Sequence, residues 1–318
     1  MWSSVLNSVL NRIPSVGLLR LLIGLLFAGL PVSAQALSYD ELLAEGTLRV
    51  AIYRNFPPYS YQEEGQAKGV DVDLAQAIAS GLGLKLQLHW MTADETLDDD
   101  LRNHLWKGHY LARDESGPML KREVADLMLR VPYDRDFAFK VDSDGRLVND
   151  LVHFFGPYQH ESWALVYDTE QLEAIENLAI FQYAQVGVEI DTLPDFYLSS
   201  AFRGRLLGNV KHFDSIPLAL QAIATGEVAA VMGTQSQLQW GVRQLQQSKQ
   251  LRPADIPFPN LVRRSWDLGM AVRDDQRELG YAVEDIVGVL VKSGQFERIY
   301  RRYNVQYIKP ERYRLPEG

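Results

Sequence analysis

Two spacings of hydrophobic positions follow one another along the chain, which predicts alternating strands and helices. Residues 48–52 form a short run rich in β-branched side chains, typical of a buried strand. Residues 71–82 place apolar side chains on one helical face, and residues 84–88 alternate as a second strand. Strand, helix and strand in this order form a βαβ unit, so we expect a parallel sheet with a right-handed crossover.

The first unit continues with further strands. They are predicted at 124–129, 151–155 and 162–167, the last two separated by Gly156 and Pro157. Thr96 precedes three aspartates, a pattern typical of a helix N-cap. We expect the chain to leave this unit after residue 167.

A second unit repeats the alternation without an exact sequence repeat. Strands are predicted at 185–190 and 228–232, and a helix at 215–224 closed by Gly226. Residues 266–272 predict a strand that returns to the first unit, and the closing segments 278–290 and 295–303 predict helices. The sequence therefore indicates two α/β halves, followed by a surface tail.

The first 36 residues have the order of a secretory signal. Basic residues Arg12 and Arg20 precede an apolar core at 21–30, and Ala34 and Ala36 supply the small residues of a cleavage site. An uncleaved anchor is the alternative, but the core is far shorter than the roughly 20 apolar residues of a bilayer span. We therefore expect cleavage near Ala36 and export.

Composition narrows the possible partners. The chain has no cysteine, so export brings no disulfides and packing alone holds the fold. A formal charge of −9 argues against nucleic acid or an anionic membrane surface as the main partner. A soluble protein of two lobes is consistent with this length.

Several short sequence segments, taken in order along the chain, resemble those of the family 3 periplasmic solute-binding proteins of ABC uptake systems. They cover most of the chain after the signal: Leu48–Ala51 with Phe56–Tyr59, Gly69–Ala75, Phe213–Val228, Leu268–Val272 and Lys292–Phe296. The resemblance implies an α/β, two-lobed periplasmic-binding-protein fold. Each lobe would be a mostly parallel sheet flanked by helices, with the ligand cleft between the lobes.

On this resemblance we divide the chain as follows. The signal peptide is 1–36, lobe 1 is 37–167 with 263–308, lobe 2 is 168–262, and the C-terminal tail is 309–318. The resemblance implies a periplasmic, monomeric protein that captures a small polar or aromatic molecule by hinge closure and delivers it to an ABC permease.

The chain departs from the amino-acid-binding members in two places. Their Thr-x-x-Arg stretch, whose arginine holds a ligand carboxylate, is replaced here by Arg130–Arg135. An acid that often follows the second-lobe strand is replaced by Gly233, Thr234 and Gln235. Both charges that recognise a zwitterion are therefore missing from their usual positions.

A narrower resemblance fits these departures. Trp106–Leu111, Ala125–Pro132 and Phe155–Tyr158 are similar to solute-binding-like proteins found with periplasmic quinoprotein alcohol dehydrogenases. This implies, as an alternative, an accessory protein of a dehydrogenase that depends on pyrroloquinoline quinone (PQQ). Such a protein would bind the cofactor or product, or act through surface contacts alone.

Candidate ligand-binding residues lie at the carboxyl ends of predicted strands, where open α/β sheets bind ligands. Aromatic faces and aimed hydroxyls suit a solute cleft, and ordinary core packing or helix capping is the competing explanation for each. The candidates are Phe56, Tyr59, Trp90, Arg135, Thr192, Thr234 and Gln235. Arg135 is the arginine nearest the family's carboxylate-binding position.

Metal binding and catalysis receive less support from the sequence. Acidic residues at 94–100 suit a hard cation, but their spacing differs from an EF-hand loop, and helix capping explains the last three. His104 and His109 are five residues apart and would not share a helix face. We expect no metal, no cofactor and no catalysis, with a dehydratase-like enzyme on the same scaffold as an alternative.

Overall fold

A computed structural model describes residues 39–108, 123–245 and 250–314. The predicted signal peptide and His109 lie outside these residues, as does the end of the predicted tail. Within the described ranges, no helix has both the length and the apolarity needed to cross a membrane.

Strands and helices alternate along most of the chain. The strands are β1 Thr47–Tyr53, β2 Tyr61–Glu63, β3 Gln66–Lys68, β4 Lys85–Met91, β5 Leu127–Pro132, β6 Val152–Asp168, β7 Val186–Glu189, β8 Val210–Phe213, β9 Ala230–Thr234, β10 Leu251–Pro253 and β11 Ser265–Arg273. The helices are α1 Tyr39–Glu45, α2 Val70–Gly81, α3 Leu97–Leu101, α4 Arg135–Ala138, α5 Leu193–Gly204, α6 Ile216–Thr225, α7 Gln235–Gln244, α8 Arg277–Lys292 and α9 Gln295–Arg302.

The main sheet runs in the order β4-β1-β5-β11-β6-β9-β7-β8, with β10 beside β6. Strand β1 is parallel to β4 and β5, and β7 is parallel to β8 and β9. The predicted βαβ unit is therefore present as β1-α2-β4. We call β1, β4, β5 and β11 with their helices lobe 1, and β7 to β10 with theirs lobe 2.

Strand β6 connects the two lobes. Its first part, 152–162, pairs with β11, and 163–167 pair with β9. The sequence predicted two strands interrupted at Gly156 and Pro157, and this was wrong because the interruption is a bulge. The β6–β11 register shifts there, and Gly156 has a φ of +57°, so the strand continues.

Each lobe has its own hydrophobic core. In lobe 1, Val50 and Ile52 pack into the larger core with α2, α8 and α9, while Ala51 faces a smaller core against α3. This alternation is the period of two expected for a strand covered on both faces. In lobe 2, two further cores lie around Val188 and Ile223.

The segment after α9 packs against the central strands. The Tyr307 hydroxyl donates to the Tyr158 carbonyl at 2.7 Å, and the His160 amide donates to the Ile308 carbonyl at 2.9 Å. The Glu311 amide donates to Asp267 at 3.0 Å. Residues 307–311 therefore lie on lobe 1 and β6. The predicted domain boundaries themselves stay predictions.

Candidate functional site

A group of buried polar side chains lies where lobe 1, lobe 2 and β6 meet. Each of its members is at most 8 % exposed. We call it the interlobe cluster, and it consists of Tyr59, Asp71, Arg130, Tyr158, Gln159, Glu161, Thr234, Ser236, Gln237 and Tyr300. Polar groups this deeply buried are costly unless they are paired, so their contacts determine what the cluster can do.

Arg130 enters the cluster because of an irregularity in β5. Opposite β11, Val131 pairs with Gly269 and Leu129 pairs with Met270, so Arg130 is the extra residue of a bulge. Its φ of +62° is in the left-handed region that favours glycine. A bulge re-aims the side chain at the extra position, and here it turns a cation into the interior.

The Arg130 guanidinium has three kinds of partner. It lies 3.3 Å above the centre of the Tyr59 ring, donates to Gln159 Oε1 at 3.1 Å, and stands 3.5 Å from Asp71 Oδ1. Burial is the largest single effect and lowers the pKa of Arg130, but Asp71 together with the surrounding tyrosines offsets it and leaves the pKa raised. The cation is therefore stabilised by this chain's own carboxylate and ring.

Asp71 is held at the start of α2 and is fully buried. Its distance to Arg130 is that of an ion pair, but neither carboxylate oxygen accepts a hydrogen bond among the described residues. Burial raises the pKa of Asp71, and Arg130 only partly counteracts this. This carboxylate is the least satisfied polar group of the cluster.

Tyr59 is fixed by a close backbone approach. The Asp71 amide donates to the Tyr59 carbonyl at 2.8 Å, and a Cβ at Gly69, whose φ is +127°, would lie 2.1 Å from that carbonyl oxygen. Only glycine fits such an approach. Gly69, which follows the aromatic loop, therefore allows the backbone contact that holds the Tyr59 ring above Arg130.

The Tyr59 hydroxyl joins the two lobes. It donates to Glu161 Oε2 on β6 at 2.5 Å and lies 3.5 Å from Thr234 Oγ1 at the start of α7. Burial raises the pKa of Tyr59, and the Glu161 charge raises it further, so the phenol remains a donor. This contact directly connects lobe 1 to lobe 2.

Strand β6 contributes Gln159 and Glu161, which share a face because they are two residues apart. The Gln159 amide donates to Glu161 Oε2 at 2.9 Å and to Ser236 Oγ at 3.3 Å, and its Oε1 accepts from the Tyr300 hydroxyl at 2.5 Å. The Ser162 amide donates to Glu161 Oε1 at 3.0 Å. Both carboxylate oxygens of Glu161 are thus satisfied.

Lobe 2 contributes the N-terminal turn of α7. Thr234 is the N-cap, accepts from the Gln237 amide at 3.4 Å and donates to Gln237 Oε1 at 2.8 Å. Ser236 and Gln237 follow on the same turn and are buried. This wall presents hydroxyls and an amide, whereas lobe 1 presents rings and charges.

Three of the sequence candidates meet at the cluster. Tyr59 and Thr234 are members, and the half-buried Phe56 ring lies 5.1 Å from the Tyr59 ring and 5.8 Å from the Arg130 guanidinium. Trp90 is half-buried at the carboxyl end of β4, where it packs on the lobe 1 core beside β1.

The remaining candidates lie elsewhere. Arg135 is exposed at the start of α4, directly after the Asp134 N-cap, and its guanidinium lies over the Phe139 ring. The Thr192 hydroxyl donates back to the Glu189 carbonyl at 2.6 Å, and Gln235 accepts from Ser162 at 2.9 Å. Gln235 is therefore beside the cluster, and Thr192 and Arg135 are not part of it.

The sequence candidates did not include Arg130, Asp71 or Glu161. Asp71 and Glu161 are unusual only in being charged within buried stretches, a pattern that a half-exposed helix or strand also shows. One feature of the sequence could have drawn attention to Arg130, which is a charged residue inside the apolar run of β5. Its placement depends on a bulge opposite a distant strand, which the local sequence does not specify.

The cluster combines a cation, two carboxylates, aromatic faces and hydroxyls at a junction of three parts of the chain. Such a set can bind a small polar molecule through charge-assisted hydrogen bonds and ring stacking. Apart from Asp71, whose carboxylate accepts no hydrogen bond among the described residues, the charged and amide side chains of the cluster contact one another. A ligand therefore has to replace contacts that lobe 1, β6 and lobe 2 make among themselves.

Sequence comparisons give a partial match. Residues 48–105 match the model of the bacterial extracellular solute-binding proteins, family 3. A cyclohexadienyl dehydratase from Pseudomonas aeruginosa is 45% identical over 62 residues, which span 19% of this chain and 23% of that enzyme.

Solved structures match most of the chain. An ancestral cationic amino acid solute-binding protein has a TM-score of 0.58 at 18% identity, covering 83% of this chain and 98% of that one. A Streptococcus pneumoniae amino acid ABC transporter substrate-binding protein bound to L-arginine has a TM-score of 0.56 at 20% identity, covering 83% and 97%.

A third similar structure has another role. A histidine kinase sensor domain with similarity to periplasmic binding proteins has a TM-score of 0.55 at 19% identity, covering 83% of this chain and 98% of that domain. Identities this low show the fold alone. The resemblance to the family 3 solute-binding proteins is thus confirmed: residues 48–105 match that family, and the chain has the two-lobed α/β fold of periplasmic binding proteins. The narrower resemblance to quinoprotein-associated proteins stays a prediction.

Proposed function

We propose that this protein is a solute-binding protein that closes its two lobes on a small polar molecule at the interlobe cluster. The main support is that the polar groups of the cluster come from three different parts of the chain. Arg130 and Tyr59 come from lobe 1, Glu161 from β6, and Thr234 from lobe 2. A molecule bound among them would contact all three parts at once, which favours the closed form.

We infer that this arrangement is the closed form, because Tyr59 of lobe 1 contacts Glu161 of β6 and lies close to Thr234 of lobe 2. The Tyr59 to Thr234 contact is long, at 3.5 Å, and therefore weak. Opening would break this contact and bring Arg130 and Glu161 to solvent. Ligand entry would then restore a closed form with new partners for both charges.

The charges define the class of ligand. Arg130 would bind an acceptor such as a carboxylate or carbonyl oxygen, and Glu161 would accept from a hydroxyl or ammonium. The Phe56 and Tyr59 rings would stack on an apolar or aromatic part. Small hydroxy acids, amino acids and aromatic acids have this combination.

Differential scanning fluorimetry and calorimetry on a panel of amino acids, hydroxy acids, alcohols, aromatic acids and PQQ test the proposal. We expect one class to raise the melting temperature and to reduce the radius of gyration. Thr234→Val should weaken the binding of that ligand by about tenfold, because one hydrogen bond is lost. Thr192→Val, whose hydroxyl binds its own strand, is the matched control. If no compound stabilises the protein, solute binding is wrong.

A second candidate is an accessory subunit that binds no solute. The internal satisfaction of the interlobe cluster supports it, since a cleft filled by its own side chains needs no ligand. The partner would be a periplasmic PQQ-dependent dehydrogenase. Absence of any thermal shift, together with co-purification of such an enzyme, would favour this role over solute capture.

A third candidate is catalysis, because the 62-residue similarity is to a cyclohexadienyl dehydratase. We propose that the chain is not an enzyme, since the buried carboxylates of the cluster are engaged by arginine, phenol and amide groups. Incubation of the purified protein with cyclohexadienyl acids, followed by chromatography of the products, tests this. Turnover above that of a Glu161→Gln variant would overturn it.

Export to the periplasm, a monomeric state and an ABC permease as the receiving partner complete the proposal. The match to extracellular solute-binding proteins supports an exported location. Cleavage near Ala36 can be read by mass spectrometry of the exported protein, and sedimentation gives the oligomeric state.

A further inference from the structure

The side chain of Gln159, on β6, contacts both lobes. Its Oε1 accepts from the Arg130 guanidinium at 3.1 Å and from the Tyr300 hydroxyl at 2.5 Å, and both of these residues belong to lobe 1. Its Nε2 donates to Glu161 Oε2 at 2.9 Å and to Ser236 Oγ, on α7 of lobe 2, at 3.3 Å. Gln159 is only 1 % exposed. It therefore has the contacts expected of a ligand enclosed between two lobes.

These four contacts use the full hydrogen-bonding capacity of a carboxamide. Such a group has a carbonyl oxygen with two lone pairs and an amino group with two N–H donors. In Gln159 two donors meet the oxygen, and two acceptors meet the amino group. The surrounding residues are thus arranged around one chemical group, which has a carbonyl acceptor and an N–H donor on the same carbon atom.

The charged residues on either side fix the direction of this group. The Arg130 guanidinium offers only donors, so the carbonyl oxygen has to face it. The Glu161 carboxylate offers only acceptors, so the amino group has to face that side. A reversed carboxamide would place N–H groups against N–H groups at Arg130 and oxygen against oxygen at Glu161. The position therefore distinguishes an acceptor end from a donor end.

A carboxylate fits this position less well than a carboxamide. It has no donor, so its second oxygen would lie against Glu161 Oε2, where the Gln159 amino group now donates. The interlobe cluster also contains two carboxylates, Asp71 and Glu161, and one cation, Arg130, so a further negative charge would add repulsion. Salt screens buried charges much less than exposed ones. The surroundings of Gln159 therefore favour a neutral group.

We propose that the Gln159 side chain is an internal stand-in for the ligand, and that the ligand carries a neutral carboxamide group which replaces it. The inference rests on the proposed solute binding and narrows its ligand class. On binding, the Gln159 side chain leaves its position, and the carboxamide of the ligand makes the four contacts instead. The Phe56 ring, 5.8 Å from the Arg130 guanidinium, suits an aromatic part of the same molecule.

A stand-in of this kind competes with the ligand. The ligand binds only those chains from which the Gln159 side chain has withdrawn, so its apparent affinity is reduced by that fraction. Gln159→Ala removes the competing amide and leaves other partners to both charges. Arg130 keeps its ion pair with Asp71, and Glu161 keeps the Tyr59 hydroxyl. The variant should therefore fold and should bind a carboxamide more tightly than the native chain does.

Calorimetric titration with two matched pairs of compounds tests the proposal: benzamide against benzoate, and acetamide against acetate. The members of each pair differ only in the group that would replace the Gln159 amide. We expect the native chain to bind benzamide at least about tenfold more tightly than benzoate, because benzoate sets an acceptor against Glu161. Gln159→Ala should bind benzamide at least about tenfold more tightly than the native chain, and it should bind acetamide in preference to acetate.

Gln239→Ala is the matched control, because Gln239 is a half-buried glutamine on α7 that lies outside the interlobe cluster. Its Oε1 accepts from the Gln306 amide at 2.9 Å. This variant should bind benzamide as the native chain does and should not bind acetamide. If circular dichroism shows that Gln159→Ala does not fold, the comparison of benzamide with benzoate on the native chain still decides.

Three results would overturn the inference. They are binding of benzoate at least as tight as that of benzamide, a weaker affinity of Gln159→Ala for benzamide, and binding of a hydroxy acid or amino acid by the native chain while both amides fail. The third result leaves solute capture intact. If nothing binds the native chain but acetamide binds Gln159→Ala, solute capture is wrong and the carboxamide preference of the position stands. Binding to neither chain would refute both.

Discussion

The interlobe cluster and the carboxyl end of β4 each bury a carboxylate, but in different surroundings. In the interlobe cluster the Arg130 guanidinium stands 3.5 Å from Asp71 and lies above the Tyr59 ring. Near the end of β4, the Asp100 carboxylate accepts from the Tyr53 hydroxyl and from the Asp94 amide, and burial raises its pKa. Asp71 is thus paired with a full charge, whereas Asp100 accepts from two neutral donors.

Breaking a buried ion pair leaves an uncompensated charge, so it typically costs more than removing one neutral hydrogen bond. We therefore expect a change at Arg130 to have a larger effect than a change at a buried hydroxyl group.

The largest effect should come from Arg130→Met. This change leaves the Asp71 carboxylate buried without its counter-charge, and breaking such a pair typically costs about 3–5 kcal/mol. Urea unfolding measures the loss in the free energy of unfolding. Arg135→Met, at an exposed arginine, should cost less than about 0.5 kcal/mol. Equal stability of the two variants would show that Arg130 is not the internal counter-charge.

Outside the interlobe cluster, the buried carboxylate of Asp126 should dominate the pH dependence of stability. Burial raises its pKa to about 6, although the Arg49 amide donates to it at 2.8 Å. Because the native pKa exceeds the unfolded value of about 3.9, the native state binds the proton more tightly. The free energy of unfolding should therefore fall as pH rises from about 4 to about 6, by up to about 3 kcal/mol.

Asp126→Asn should remove most of that slope, because the amide cannot ionise and its oxygen can still accept from Arg49. Denaturant melts at several pH values give the measurement. A slope unchanged in this variant would assign the pH dependence to other groups, Asp71 and Asp100 among them.

The smallest effect should come from Tyr59→Phe. Removing the hydroxyl takes one donor from Glu161 and the contact with Thr234, at a cost of about 1–2 kcal/mol. A double-mutant cycle with Thr234→Val should give a coupling of about 0.5–1 kcal/mol, since the two oxygens are 3.5 Å apart. Fully additive effects would mean that the hydroxyls do not connect the lobes.

The local sequence pattern was sufficient to predict several helices, strands and helix caps. Strand β1 and helix α2 were predicted within one or two residues, and Gly226 was predicted to close α6, where it has a φ of +80°. Thr96 was predicted as an N-cap and accepts from the Asp99 amide. These features depend on side-chain periodicity and on capping groups a few residues away, and both can be recognised in the local sequence.

The candidate site was predicted only in part. Tyr59 and Thr234 stand at strand ends and were chosen for their position and chemistry, and the structure brings them together. Arg135 was chosen by its nearness to a familiar motif, yet Arg130 is the buried arginine. The helix α7 was not predicted, because its polar sequence has little apolar periodicity, and it carries Ser236 and Gln237.

The sequence alone determined the alternation of strands and helices, the likeness to two-lobed binding proteins, and the aromatic and hydroxyl residues at strand ends. Only the tertiary structure decided that β6 runs through both lobes, that Arg130 turns inward at a bulge, and that Tyr59 approaches Thr234. The physical reason is the distance along the chain over which each effect acts. Periodicity and capping act over a few residues, whereas the bulge depends on β11, more than a hundred residues from β5 in the chain, and the cost of burying a charge is set by partners that only folding brings close.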